Sequence, residues 1–122
     1  MKIENIKFKA KLLDNGEWVE GDLMKESYGA RIIEHTSKAD NWIAVDPSTV
    51  CQYTGLKDED ENDIFEGDLL AEKRFPMYEV GYANSEFAAS YIGENTFIFK
   101  LPALSKDCVV CGSIYDRKEG EK

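Results

Sequence analysis

The chain has 122 residues, with 24 acidic against 15 basic side chains and a formal charge of −9. That length suits one domain, or two small lobes sharing one core, and the charge repels polyanions unless basic residues cluster. Hydrophobic residues at 43% and aromatics at 11% exclude a disordered acidic chain, so a packed core is expected.

The opening residues interrupt every apolar stretch with charge. No secretory apolar core of the usual ~7–15 residues is read there, and nothing approaches the ~20 apolar residues that span a bilayer. The expected compartment is therefore the cytoplasm. Three cysteines, Cys51, Cys108 and Cys111, form an odd set that suits reduced thiols better than a disulfide framework.

Period-two alternation broken by turn residues predicts a mostly β chain. Ile6, Phe8, Ala10 and Leu12 alternate with Lys7, Lys9 and Lys11. Asn15-Gly16 supplies the positive φ angles of a tight turn, and Glu17–Met24 returns as a strand, so residues 6–24 read as a β-hairpin. Ala30–Glu34 and Trp42–Val45 are shorter strands around a polar loop at 37–41, and Pro47-Ser48 ends this region in a turn. Cys51–Thr54 is a brief strand stopped by Gly55, followed by an acidic segment, Asp58–Asp63, and by Ile64-Phe65. The remainder reads as a meander over Met77–Tyr82, Phe87–Ile92, Thr96–Leu101 and Cys108–Tyr115, with Pro102–Asp107 a loop or one helical turn. Charged residues 117–122 are expected to fray. The expected organisation is a single domain, 1–122, with sub-lobes 1–50 and 51–122 as the open alternative.

A short echo recurs: Glu20-Gly21-Asp22-Leu23 and Glu66-Gly67-Asp68-Leu69. Glycine permits a bulge and aspartate can accept from nearby backbone N–H groups, so the structural reading outweighs one that makes Asp22 and Asp68 a catalytic pair.

Cys108 and Cys111 have the CxxC spacing of zinc or redox sites. The remaining candidate ligands are Cys51 and the lone His35, and residues three apart on a strand face opposite ways, so ordinary cysteines are expected. Asp58–Asp63 fails the calcium-loop pattern, having Asp63 where glycine and Leu69 where glutamate would stand; a solvated acidic hairpin is expected. His35 comes without a serine elbow, and no phosphate-binding loop is present.

Gln52-Tyr53-Thr54-Gly55-Leu56-Lys57-Asp58, then Ile64-Phe65-Glu66-Gly67-Asp68-Leu69-Leu70, then Gly112-Ser113-Ile114-Tyr115, form an ordered set. Together with Ile6–Ala10 and the Trp18–Gly21 step, it resembles the YopX family. The resemblance implies a mainly β, YopX-like fold with an N-terminal β-hairpin region and a C-terminal, partly open, SH3-like small barrel, encoded by a phage or prophage. It implies no established enzyme activity. Its motif residues Gln52, Tyr53, Thr54, Gly55, Gly67, Asp68, Gly112 and Tyr115 are read as structural, with no catalytic, cofactor-binding or metal residue assigned. Glu61-Asn62-Asp63 departs from the family's usual Asn-Gly turn, which predicts a looser hairpin.

The leading functional expectation is a non-enzymatic module in the bacterial host that binds a protein partner or itself, with Trp42, Tyr53 and Tyr91 as candidate contacts. The alternative is a nucleic-acid-binding small barrel using Lys2, Lys7, Lys9 and Lys11 as a basic edge. That reading is weakened by the net charge and by the ordinary use of lysine to protect strand edges.

Overall fold

A computed structural model describes residues 2–116; the terminal segment 117–122, expected to fray, lies outside the described residues. The chain is mostly β and forms two compact units, Met1–Tyr53 and Thr54–Lys122. Its strands are β1 (Phe8–Lys11), β2 (Trp18–Glu26), β3 (Gly29–His35), β4 (Asp40–Val45), β5 (Cys51–Lys57) and β6 (Asp63–Phe65). There follow β7 (Asp68–Glu72), β8 (Phe75–Ala83), β9 (Glu86–Tyr91), β10 (Phe99–Lys100) and β11 (Val109–Ser113), with one short helix, α1 (Leu101–Leu104). Both sheets are antiparallel and neither closes into a barrel. Among the described residues no helix is long and apolar enough to cross a membrane.

In the first unit the strands run in the order β4-β3-β2-β1, and the start of β5 adds beside β1. The hairpin forms, but through a longer loop than a tight Asn-Gly turn: of that pair only Gly16 takes a positive φ (+73°), the Leu12 amide donates to the Glu17 carbonyl at 2.8 Å, and the Asn15 side chain accepts from the Glu17 amide at 2.9 Å. Lys11 then pairs with Trp18, and Ala10 with Val19. Alternation sends Phe8 and Ala10 inward with Ile32 and Val45 to make the core. The far end of β4 is tied back to the end of β1 by a Leu12–Val45 bridge and by the Asp46 amide donating to the Lys11 carbonyl at 2.8 Å.

β1 is paired on both sides, by β2 and by β5, so its lysine row is not on a sheet edge. Edge protection cannot explain the row, and a basic edge is not formed. Instead the ammonium of Lys7 lies 4.7 Å from the Tyr53 ring centre, and those of Lys9 and Lys11 lie 4.6 and 5.4 Å from the Trp18 ring. Charge on that face is spent on aromatic π faces.

In the second unit the end of β5 neighbours β6, and a five-stranded sheet runs β10-β9-β8-β7-β11. Ile64, Leu70, Val80, Leu101 and Cys108 are its buried centre. Gly55 does not stop β5, as the sequence suggested; it takes φ +84° and the strand continues to Lys57. The strand expected over 96–101 shrinks to β10 because Pro102 starts a helical turn, and a two-residue outer strand offers little free edge. On the other face of this sheet the Phe97 ring lies over Gly81, where a Cβ would meet it at 2.5 Å.

The two copies of Glu-Gly-Asp-Leu do different work. Gly21 sits inside β2, where any Cβ would overlap the Ile33 carbonyl, whereas Gly67 sits in a turn at φ +86°. Replacing Gly21 by alanine is expected to lower stability in chemical denaturation by about 1–3 kcal/mol. Gly29→Ala, at a position with open space around it, should change it by less than about 0.5 kcal/mol.

Candidate functional site

The family-type motif residues build a turn system. Asp58, 4% exposed, is its centre. Its Oδ1 accepts from the amides of Asp60 at 2.9 Å and Asn62 at 2.8 Å, and its Oδ2 accepts from the Val110 amide at 2.8 Å and, more weakly, from Asn62 Nδ2 at 3.4 Å. Burial alone would raise this carboxyl. The Val110 and Asn62 donors outweigh it and hold the group below the ordinary aspartate value. Glu61 supplies the positive φ (+67°) that glycine gives elsewhere, and Asp58 and Asn62 close the turn at 2.8 Å. The hairpin is therefore tight, not loosened. Nor is the acidic run uniformly solvated, since Asp58 is inside and Asp63 pairs with Lys57 at 2.7 Å.

Thr54 Oγ1 donates to the Ile64 carbonyl at 2.7 Å and accepts from the Leu56 amide at 3.2 Å. Asp68 is fully buried and its Oδ2 accepts from the Phe65 amide at 2.7 Å, the backbone role expected of it. Gly67 accepts from the Ile114 amide at 2.8 Å, and a Cβ there would stand 3.1 Å from the Tyr115 ring. Gly112 pairs with Leu69 beside a register shift in β11. Gln52 and Tyr53 lie in the first unit: Gln52 is exposed opposite Phe8, and Tyr53 is 5% exposed under the Lys7 ammonium. Tyr53 is therefore not an available contact residue. Tyr91 stacks on Tyr78 at 5.5 Å, and Trp42 belongs to the other unit's β4, so neither unit gathers the three expected aromatics into a patch.

A groove of about 450 Å³ opens elsewhere in the second unit. Leu56, Phe87, Pro102 and Ala103 give it apolar walls, and Thr54, Glu86 and Lys100 make its polar part. α1 creates this shape: Leu101 is buried as an anchor, which leaves Pro102 and Ala103 facing out. Lys100 Nζ and Glu86 Oε1 are 2.7 Å apart, so the two charged groups at the groove neutralise each other. A smaller hollow of about 230 Å³ shares Lys100 and Ala103 and adds Phe99, Leu104 and Asp107. Sequence reading missed this groove, because its members come from β5, β9, β10 and α1 and meet only in the fold; the one local signal was Pro102.

The family model described as YopX protein matches residues 7–119. The chain belongs to the YopX family. No curated protein matches it.

This YopX-family chain keeps its three thiols apart in character. Cys108 is fully buried in the core, where burial pushes its thiol up to about 11. Cys111 is exposed, its Sγ 3.4 Å from the Leu69 carbonyl oxygen, and partial burial raises it as well. Among the described residues no group of three or more His, Cys, Asp or Glu side chains is placed to hold a metal ion. Sequence reading named His35 but not its partners: Nδ1 and Nε2 each lie 2.7 Å from a carboxylate, of Asp40 and Asp22 respectively. Asp22, paired this way and exposed, and Asp68, buried on a backbone amide, have unrelated roles.

Two outcomes follow from this geometry. Asp58→Ala should destabilise the protein by about 2–4 kcal/mol in urea titrations at pH 7, because buried donors lose their acceptor. Since the folded carboxyl lies below its unfolded value of 3.8, that stability is present above pH 3.8 and is lost as pH falls through the folded value, so the gap between wild type and variant should close in acid. With a thiol-specific disulfide reagent, Cys111 alone should react in the native protein, faster as pH rises, and all three cysteines should react in denaturant.

Proposed function

We propose that this chain is a phage- or prophage-encoded, non-enzymatic protein-binding module of the host cytoplasm, and that the groove beside α1 receives an apolar side chain from its partner. The observation that carries this reading is the groove's make-up. Apolar walls at Leu56, Phe87, Pro102 and Ala103 meet a small polar part, and the only two charged side chains there are tied to each other. Apolar pockets with a few placed polar groups suit recognition. General acid–base or nucleophilic chemistry needs a group poised to react; among the described lining residues the candidates are Thr54, whose hydroxyl donates to the Ile64 carbonyl, and Glu86 and Lys100, which pair with each other.

Binding to nucleic acid is less well supported. Of the lysines that suggested it, Lys9 and Lys11 lie on an internal strand and Lys7 just before it, with Lys2 well ahead of that strand, and Lys7, Lys9 and Lys11 are drawn onto aromatic rings. The net charge of −9 adds to that.

The test is quantitative capture from extracts of a host in which the phage has been induced, using tagged wild type, Ala103→Glu, and the remote surface control Tyr28→Ser. Ala103 and Tyr28 are both exposed, so both variants should fold. A phage or host protein held equally by wild type and Tyr28→Ser, and at least about tenfold less by Ala103→Glu, is the expected result for a groove anchor. Equal capture by all three proteins, or a partner lost only from the control, would overturn the groove assignment.

A further inference from the structure

His35 ends β3 and stands half-exposed between two carboxylates contributed by the strands on either side. Asp22 on β2 pairs with Ile33, so it meets His35 diagonally, and Asp40 on β4 pairs with His35 directly. Nε2 is 2.7 Å from Asp22 Oδ2, and Nδ1 is 2.7 Å from Asp40 Oδ1. Ionised carboxylates only accept, and a neutral imidazole can donate from one nitrogen only. Both contacts therefore require the ring to be protonated. When it loses a proton, one of the two becomes lone pair against lone pair and must open.

The consequence falls on β4, the outer strand of its sheet. Its far end is fixed to the end of β1 through Val45, the Leu13 amide to the Ala44 carbonyl, and Asp46. The half that starts at Asp40 is held, among the described residues, by its pairing with β3, by Arg31 Nη1 donating to the Trp42 carbonyl at 3.5 Å, and by the Thr36–Ala39 bonds of the connecting turn. We propose that Asp22, His35 and Asp40 form a pH-sensitive clasp, which fastens the starting half of β4 to the sheet when His35 is protonated and loosens it when the ring is neutral.

Other charged groups nearby do not replace these partners. Arg31, on the same side of β3, is engaged by Glu26 at 2.9 Å, and Glu34 accepts from Asn41 Nδ2 at 3.2 Å. Glu20 on β2 and Lys38 in the connecting turn make no contact with the ring among the described residues. Hydrogen bonds to Asp22 and then to Asp40, with their charges, raise the His35 value above 6.5. The clasp is thus fully closed below pH 6.5 and is lost as pH rises through the raised folded value.

The experiment is an NMR titration of the full chain from about pH 5 to pH 9 at constant ionic strength, following the His35 ring and the exchange protection of the Asp40–Ile43 amides. The expected result is a ring midpoint above 6.5. Protection corrected for intrinsic exchange should fall roughly two- to fivefold through the same midpoint, the size expected of exposed ion pairs. His35→Gln should give flat protection, and Asp22→Asn should lower the ring midpoint while leaving the strand paired. A ring midpoint at or below 6.5, protection that ignores the ring titration, or the same fall in His35→Gln would each overturn the clasp.

Discussion

The second unit depends on one buried carboxylate. Removing an ionised aspartate from water is costly unless its oxygens are fully supplied with donors, and Asp58 is supplied from both its own turn and a strand 52 residues away. That link does three things at once. It closes the 58–62 turn without the usual glycine, it occupies an outward amide of β11, and it fixes where β11 lies relative to the turn. The Glu59 amide donating to the Cys108 carbonyl at 2.9 Å reinforces the same junction. From there β11 pairs with β7, and the Ile114 amide returns to Gly67. Within this unit Asp58, Gly67, Asp68, Gly112 and Tyr115 are thus tied into one system of turns and strand entries by hydrogen bonds and close packing.

The turn system and the groove are built from largely different residues. The groove beside α1 takes Thr54 and Leu56 from the motif stretch; its other walls come from Phe87, Pro102 and Ala103. In the first unit the equivalent device is cross-strand electrostatics, with lysine over aromatic rings on one strand and a histidine between two carboxylates at the sheet's end.

Much of the fold was legible because its signals were local. Asn15-Gly16 with flanking alternation defined the first hairpin, and Pro102 marked the helical turn. Ala88-Ala89, weak by propensity, became the buried middle of β9 because small residues fit there under tertiary packing. What escaped was non-local. Nothing in Asp58–Asp63 tells which acid will turn inward, since the deciding donor is Val110. Likewise the repeated Glu-Gly-Asp-Leu looks like one solution used twice, yet Gly21 answers a neighbouring carbonyl and Gly67 a backbone angle. The lysine row read as an edge because only β5, far along the chain, shows that β1 is internal.

The central claim is that the ionised Asp58 carboxylate holds the 58–62 turn to β11. Carbon-13 titration of the Asp58 carboxyl tests it most directly. The account predicts a midpoint below 3.8, with the Val110 amide shift moving in step as the hydrogen bond is lost. A midpoint at or above 3.8, with Val110 unmoved, would contradict it.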